Sequence, residues 1–305
     1  MTEELLLRKT ALERGVTDYA LRRACASGRL TRLRPGAYAY SNGPADPYGR
    51  HRLAIRAAAR AVGAGVAISH QSAAVLHGLP LLEPPGGQVH ATVNRVTGGR
   101  LTKSLHLHST RYDADEVVLV DGILTTTPAR TVADLARTTS FCAAVVTGDA
   151  AMRTYALATD QLIDALQRWH RRRGLSQARQ AILFMDPRSE SPGESRSRVA
   201  MHYAFLPTPE LHTEIRDEHG NFVARVNFFL PQHNVIGEFD GQSKDGREDA
   251  LRDLGGQFVR WTTSDLDDFT ATATRWRRAI ARSATAPPPR WQIQRQPART
   301  TQADA

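Results

Sequence analysis

The sequence predicts a multidomain α+β protein made of three unlike parts. Three observations lead there. At 305 residues and 41% hydrophobic content, the chain can fill two or three small cores rather than one large one. Helical spacing and strand alternation trade places several times along it, without an internal repeat. The charge is also uneven. Residues 1–60 hold 12 Lys+Arg against 5 Asp+Glu, a net +7 out of +9 for the whole chain. A basic block at one end points to a polyanionic partner.

The first part spans residues 1–42. Glu3 to Arg14 has helical spacing, with Leu5, Leu6, Ala11 and Leu12 inward and Gly15 as a stop. In "VTDYALRRACASG", Thr17 suits an N-cap, Asp18 suits the first turn, and Gly28 ends the second helix. "RLTRLRPGAYAY" then turns at Pro35-Gly36 between two short strands. Helix, arginine-bearing helix and hairpin together predict a winged helix-turn-helix. Asp18, Tyr19, Arg22 and Arg23 are its candidates for the major groove, and Arg29, Arg32 and Arg34 for phosphates. Only Lys9, Lys103 and Lys244 are lysines, so the basic side chains are almost all arginine forks. GC-rich coding would also enrich arginine, so their position in the chain carries the argument and their number does not.

The second part, residues 43–185, alternates helices and strands as a mixed α/β module. "VAISHQSAAVLHG" reads as a strand ending at Ser69, which caps a short helix. "QVHATV", "SLHLHST" and "EVVLVDGILTT" read as strands, and Thr127-Pro128 opens a helix. Further helices are expected from Phe141 to Met152 and from Thr159 to Arg173. His70 and His77 lie seven apart on one helix face, and His106 and His108 share a strand face. Such spacing suits a metal, but no cysteine or paired carboxylate stands nearby in sequence, so capping, packing or surface roles are expected.

The third part spans residues 186–282. Ser191-Pro192-Gly193-Glu194 forms a capping box, with proline at the first helical position. Strands follow at 211–216, 222–230 and 235–240, then a helix at 247–254, a strand at 257–261 and a last helix from Ser264. Residues 283–305, with Pro287-Pro288-Pro289, are expected to be a disordered tail.

The stretch "ARVNFFLPQHNVIGEFDGQSK", residues 224–244, carries the sharpest chemical signal. Alternation puts Glu238 and Asp240 on one strand face, with Gly237 and Phe239 toward the core. On the preceding strand Arg225, Asn227 and Phe229 share a face, and Asn227 can sit beside Glu238. Carboxylates so placed hold Mg²⁺, which aligns a water with a scissile phosphate. Lys244 would stabilise phosphoryl charge, and Glu194 would complete the set from its helix while also capping it. The metal candidates are thus Asn227, Glu238 and Asp240, and the catalytic candidates Glu194, Glu238, Asp240 and Lys244.

"GRLTRLRPGAYAY", "ISHQSAAVLHGLPLL" and "TTTPARTVADLAR" resemble the AbiEi-like proteins of actinobacteria, regulators or antitoxins of type IV toxin–antitoxin systems. The resemblance covers about residues 5–282. The C-terminal part is similar to the DUF559 and very-short-patch-repair-like branch of the PD-(D/E)XK, or restriction-endonuclease-like, fold. That resemblance implies Glu194 as the helix acid, Glu238 and Asp240 as the third-strand E-x-D, and a metal-binding aspartate where this chain has Asn227. The family pattern R-V-D-F is here Arg225-Val226-Asn227-Phe228, and the stretch after Lys244 is shorter than is usual. Both departures imply a degenerate site with weak or lost metal binding.

The expected function is therefore a DNA-binding regulator or antitoxin with an inactive nuclease-fold domain. It needs no cofactor unless cleavage survives, in which case it needs Mg²⁺. Two alternatives stay open: an active Mg²⁺-dependent DNA endonuclease targeted by the winged helix, and a protein–protein module that neutralises a toxin. The implied partners are DNA, a toxin protein and a second copy of the chain. Cys25 and Cys142 form no disulfide framework, "MTEELLLRKT" lacks the order of a signal peptide, and no run nears the ~18 apolar residues of a membrane span. A cytoplasmic location without membrane contact is expected.

Overall fold

The first leucines do not begin a helix. In the computed structural model, which describes residues 5–40, 46–63, 65–168, 173–239 and 246–294, Leu5–Leu7 form a strand, β1, and helix α1 (Arg8–Glu13) follows. Next come α2 (Asp18–Ala26), β2 (Leu30–Arg34) and β3 (Ala37–Tyr40), and β1 completes a three-stranded antiparallel sheet in the order β1-β3-β2. The helix expected from Glu3 gives way because pairing with β3 satisfies the backbone while Leu6 still reaches a core of Ala11, Leu21, Leu30 and Tyr38. Thr17 caps α2 as its sequence suggests, accepting from Ala20 N at 3.2 Å.

These elements share a unit, residues 1–185, with a second sheet. It is built from α3 (Pro47–Ala59), β4 (Val66–Ile68), α4 (His70–Leu76), β5 (Val89–Val93), β6 (Arg100–Leu101), β7 (Leu105–Ser109), β8 (Val117–Val120) and β9 (Ile123–Thr126). Helices α5 (Pro128–Thr138), α6 (Phe141–Tyr155), α7 (Thr159–Gln167) and α8 (Leu175–Phe184) follow. The sheet order is β6-β7-β5-β4-β9-β8. β5 and β7 run parallel, with His90 beside His106 and Thr92 beside His108. Ile55, Ile68, Val75 and Val89 lie in the core between α3, α4 and this sheet. Thr127 caps α5 by accepting from Arg130 N. Ser69 precedes α4 but makes no side-chain cap; its hydroxyl instead meets Thr92 and His70.

The second unit is residues 186–305. It comprises α9 (Pro192–Tyr203), β10 (Glu210–Asp217), β11 (Phe222–Leu230), β12 (Val235–Phe239), α10 (Gly246–Asp253), β13 (Gln257–Trp261), α11 (Thr270–Thr285) and β14 (Trp291–Gln294). The sheet order is β13-β12-β11-β10-β14. β10, β11 and β12 form an antiparallel meander, and β13 adds parallel to β12. Met201, Phe228, Trp261 and Trp276 fill one face; Ile215, Val226, Phe229 and Leu251 fill the other. Gly237 must be glycine on packing grounds, since a Cβ there would stand 2.5 Å from the Trp276 ring.

Two further expectations need correction. The tail does not begin at Ser283: α11 continues to Thr285, and Trp291–Gln294 pairs with Glu214–Asp217 as an edge strand. The Trp291 ring then meets Phe229, an apolar contact that favours the pairing despite the prolines before it. Nor does Phe229 share a face with Arg225 and Asn227. Phe228 and Phe229 fill opposite faces, yet Val226 lies with Phe229. The alternation slips by one at Asn227. Across from it His212 has φ +52°, a left-handed conformation that breaks the regular pleat. No helix among the described residues is long and apolar enough to cross a membrane.

Candidate functional site

The sequence nominates two regions, one in each unit. On α2, Tyr19 is 68% exposed, and Arg22 and Arg23 are exposed beside it. Leu21, at 1% exposure, anchors that helix, with Ala24 and Cys25 packed beside it. Arg29 and Arg32 are exposed at the start of the hairpin, Arg29 reaching back to the Ser27 hydroxyl at 3.3 Å. No carboxylate among the described residues pairs with Arg22, Arg23 or Arg32, so their charge is open to a polyanion.

Two other nominated side chains are engaged elsewhere. Asp18 accepts a two-pronged bond from Arg8, at 2.7 and 2.5 Å, which ties the start of α2 to α1 and holds its carboxyl below the usual range. Arg34 is half-buried and donates to the Ala57 carbonyl of α3 at 3.1 Å. Its guanidinium joins the hairpin to the next helix instead of facing outward.

In the second unit Glu194 is the hub. It is 6% exposed on the first turn of α9. Ser191 caps that helix, accepting from Glu194 N at 3.2 Å. The reciprocal arm of the expected capping box lands one residue earlier, where Glu194 Oε2 accepts from Glu190 N at 2.8 Å. The same oxygen faces His212 Nε2 at 3.0 Å, and Oε1 faces Asn227 Nδ2 at 3.5 Å. Arg225 pairs with Glu190 at 2.6 Å beside this group. His212, left-handed in its backbone, lies across from Asn227 between the pairs Leu211–Phe228 and Thr213–Val226, and both side chains meet the same carboxylate. Sequence reading missed His212 because its partners come from another strand and another helix.

Glu238 follows Gly237, which pairs with Phe228, so it lies across from Asn227 on the neighbouring strand. Gly237 and Phe239 face the Trp261 and Trp276 side. Asp240 and Lys244 lie outside the described residues. The structure thus joins Glu194 to Asn227 and adds His212. Chemically, an amide at 227 donates to the Glu194 carboxylate and needs no cation between them. An aspartate there would set like charges face to face, which a cation or a shared proton would relieve.

With this geometry in view, comparison with known proteins places both parts of the N-terminal unit. Residues 4–41 match the family described as transcriptional regulator, AbiEi antitoxin, and residues 63–183 match the AbiEi antitoxin C-terminal domain. Both AbiEi antitoxin domain families are found in this chain. The AbiEi C-terminal segment contains both sheet-borne histidine strands and the α5 motif. Two curated relatives, the proteins named MT2308 and Rv2248 from two Mycobacterium tuberculosis strains, are each 36% identical over 143 residues. That alignment takes in 47% of this chain and 51% of each relative, so the chain spans about half the length of the curated relatives it matches. The crystal structure of the Mycobacterium tuberculosis RV2827C protein aligns with a TM-score of 0.39 at 16% identity, over 63% of this chain and 74% of that one. A likeness of that size carries no argument.

Proposed function

We propose that this chain is a DNA-binding regulator or antitoxin of the AbiEi kind, with a toxin protein as its second partner. In this reading residues 1–42 are a winged helix-turn-helix, residues 43–185 the AbiEi-like middle module and residues 186–282 a nuclease-fold domain without efficient cleavage. The observation that carries it is the coincidence of the AbiEi regulator match at residues 4–41 with the exposed Arg22, Arg23 and Arg32, none of which forms an ion pair among the described residues. Such arginines neutralise phosphates and release counterions. A gel shift with the upstream region of the protein's own gene is the test. Replacing Arg22, Arg23 and Arg32 together with Ala should weaken binding and reduce the salt slope by roughly 0.9 for each phosphate that is no longer neutralised. An unchanged affinity and slope would remove the winged helix from DNA binding.

The degenerate-nuclease part rests on the order helix, three-stranded meander, helix, parallel strand, and on Asn227 where a metal site wants a carboxylate. With Asn227→Asp, two carboxylates would face each other at the Glu194 position. The metal-free variant should therefore melt lower than wild type, and Mg²⁺ or Mn²⁺ should restore it. Metal affinity should rise about tenfold, or about 1.4 kcal/mol. Calorimetric titration checks this. A variant that gains no affinity takes Asn227 out of any metal site, and wild-type cutting that depends on Glu238 would make the domain an active nuclease.

A further inference from the structure

The middle sheet gathers histidines that lie far apart in sequence. β5 and β7 run parallel with His90 beside His106, so His90, His106 and His108 project from one sheet face. α4 starts beside them and delivers His70. Ser69 N donates to the His90 carbonyl at 3.0 Å, and His90 N donates to the Ser72 hydroxyl at 2.8 Å. These two bonds lock the start of α4 to β5. His70 itself has φ +52°, a left-handed conformation that aims its buried ring at the sheet. Its ring stacks on His108 at 3.9 Å between centroids, and His106 stacks on His108 at the same distance. His77, nominated with His70 by spacing, goes elsewhere: its Nε2 meets the Thr126 carbonyl at 2.7 Å.

We propose that His70, His90 and His108 bind one divalent transition-metal ion of the zinc class. One ring nitrogen from each lies within 4.8 Å of the other two. His90 Nδ1 and His108 Nε2 already stand 3.1 Å apart. With zinc–nitrogen bonds of about 2.0–2.1 Å, tetrahedral nitrogens sit about 3.4 Å apart. One edge of the set is therefore near its bound spacing, and the His70 ring must swing off its stack on His108 to close the others.

The surroundings supply what a metal-bound histidine needs behind it. Asp134 is completely buried on α5, and its Oδ2 accepts no hydrogen bond but lies 3.8 Å from His70 Nδ1. The Ser69 hydroxyl meets His70 Nδ1 at 3.0 Å, and the carboxylate beyond it adds an electrostatic preference for the proton on Nδ1, which leaves the Nε2 lone pair for a metal. Arg130 holds the other oxygen of Asp134 at 3.0 Å and also bonds Glu116 at 2.6 Å. That triad keeps one net negative charge, which offsets the nearby Arg137. Burial, together with the neighbouring cationic groups, lowers the pKa of His70 well below the ordinary value and those of His90 and His108 to about 4 and about 3. The rings are neutral at pH 7, the form that ligates metals and the wrong form for holding an anion. A cavity of about 430 Å³, lined by His70, His106, His108, Arg100 and Arg137, leaves the fourth position open to water or another small ligand.

The test uses the full chain stripped with EDTA and titrated with Zn²⁺, with X-ray absorption at the zinc edge on the wild type. The expected result is one equivalent bound at micromolar affinity or tighter, with three imidazole nitrogens in the first shell. His90→Ala and His108→Ala should each weaken binding at least tenfold. Asp134→Asn should weaken it ten- to a hundredfold while keeping the three-imidazole spectrum, since that residue only positions His70. His219→Ala, an exposed histidine of the other unit, should change nothing. Absence of binding by the wild type, full affinity in both histidine variants, or carboxylate or thiolate ligands at the edge would each overturn the proposal. Should the histidine variants fail to fold, the wild-type absorption spectrum decides alone.

Discussion

Arg130→Ala should destabilise the N-terminal unit by about 3–5 kcal/mol, enough to lower its melting midpoint by roughly 10 °C. Arg130 is 2% exposed, and its guanidinium bonds Glu116 and Asp134, which are 6% and 0% exposed. Burial alone pushes the Asp134 carboxyl up, and with Arg130 pulling it back its pKa still stands at about 6. Removing the guanidinium leaves two buried carboxylates with only the less direct Arg168 and Arg137 as counter-charges. They must then be protonated or drag water inward, and either outcome costs far more than the missing hydrogen bonds. The whole network, by contrast, contributes little net stability, because desolvating three charges nearly cancels their attraction. Hence the sharper expectation is a rescue. Glu116→Gln and Asp134→Asn added to Arg130→Ala should recover a large part of the loss, as urea unfolding of the single and triple variants will show. A single variant within 1 kcal/mol of wild type would mean that the triad is solvated in solution.

Much of both units is legible from local chemistry. Thr17, Thr127 and Ser191 each sit where a helix needs an oxygen acceptor, and each accepts the expected amide. The order of strands and helices follows from apolar period, which needs only near neighbours in sequence. Where the reading fails, the deciding partner is distant. Leu5–Leu7 has helical spacing, yet pairing with Ala37–Ala39 outweighs it. His90 carries no signal by itself. It becomes a cluster member only through the parallel register with β7, which no local pattern specifies. Asp134 looks in sequence like one more polar position on an amphipathic helix, and only tertiary packing buries it against Arg130 and His70. The Glu194 hub is half legible. Its helix cap is a local motif, whereas His212 reaches it through a left-handed kink in a strand that reads as regular.

The histidine cluster should also make the metal-free unit sensitive to mild acid. His70, His90 and His108 all have folded pKa values below their ordinary range, because burial disfavours the charged ring. In the unfolded chain each takes up a proton near pH 6.5. Between that value and the folded pKa the unfolded state therefore binds more protons, so stability falls as pH falls. For His90 the window runs from about 6.5 down to about 4. At pH 5 such a group has given up about 2 kcal/mol relative to pH 7. His108, with its window reaching down to about 3, adds a similar increment. Asp134 works in the opposite direction. Its raised folded pKa means that below about pH 6 the folded state takes up a proton that the unfolded carboxyl does not yet bind, so about one histidine's share is offset there. The other rings keep the balance negative. The decline should accordingly be shallow from pH 7 to 6 and steeper from pH 6 to 4. Urea midpoints of EDTA-treated protein across that range give the curve, and His108→Gln should flatten it. If the wild-type curve stays flat to pH 4, the rings are hydrated in solution, and the tight stack of His70, His106 and His108 does not persist there.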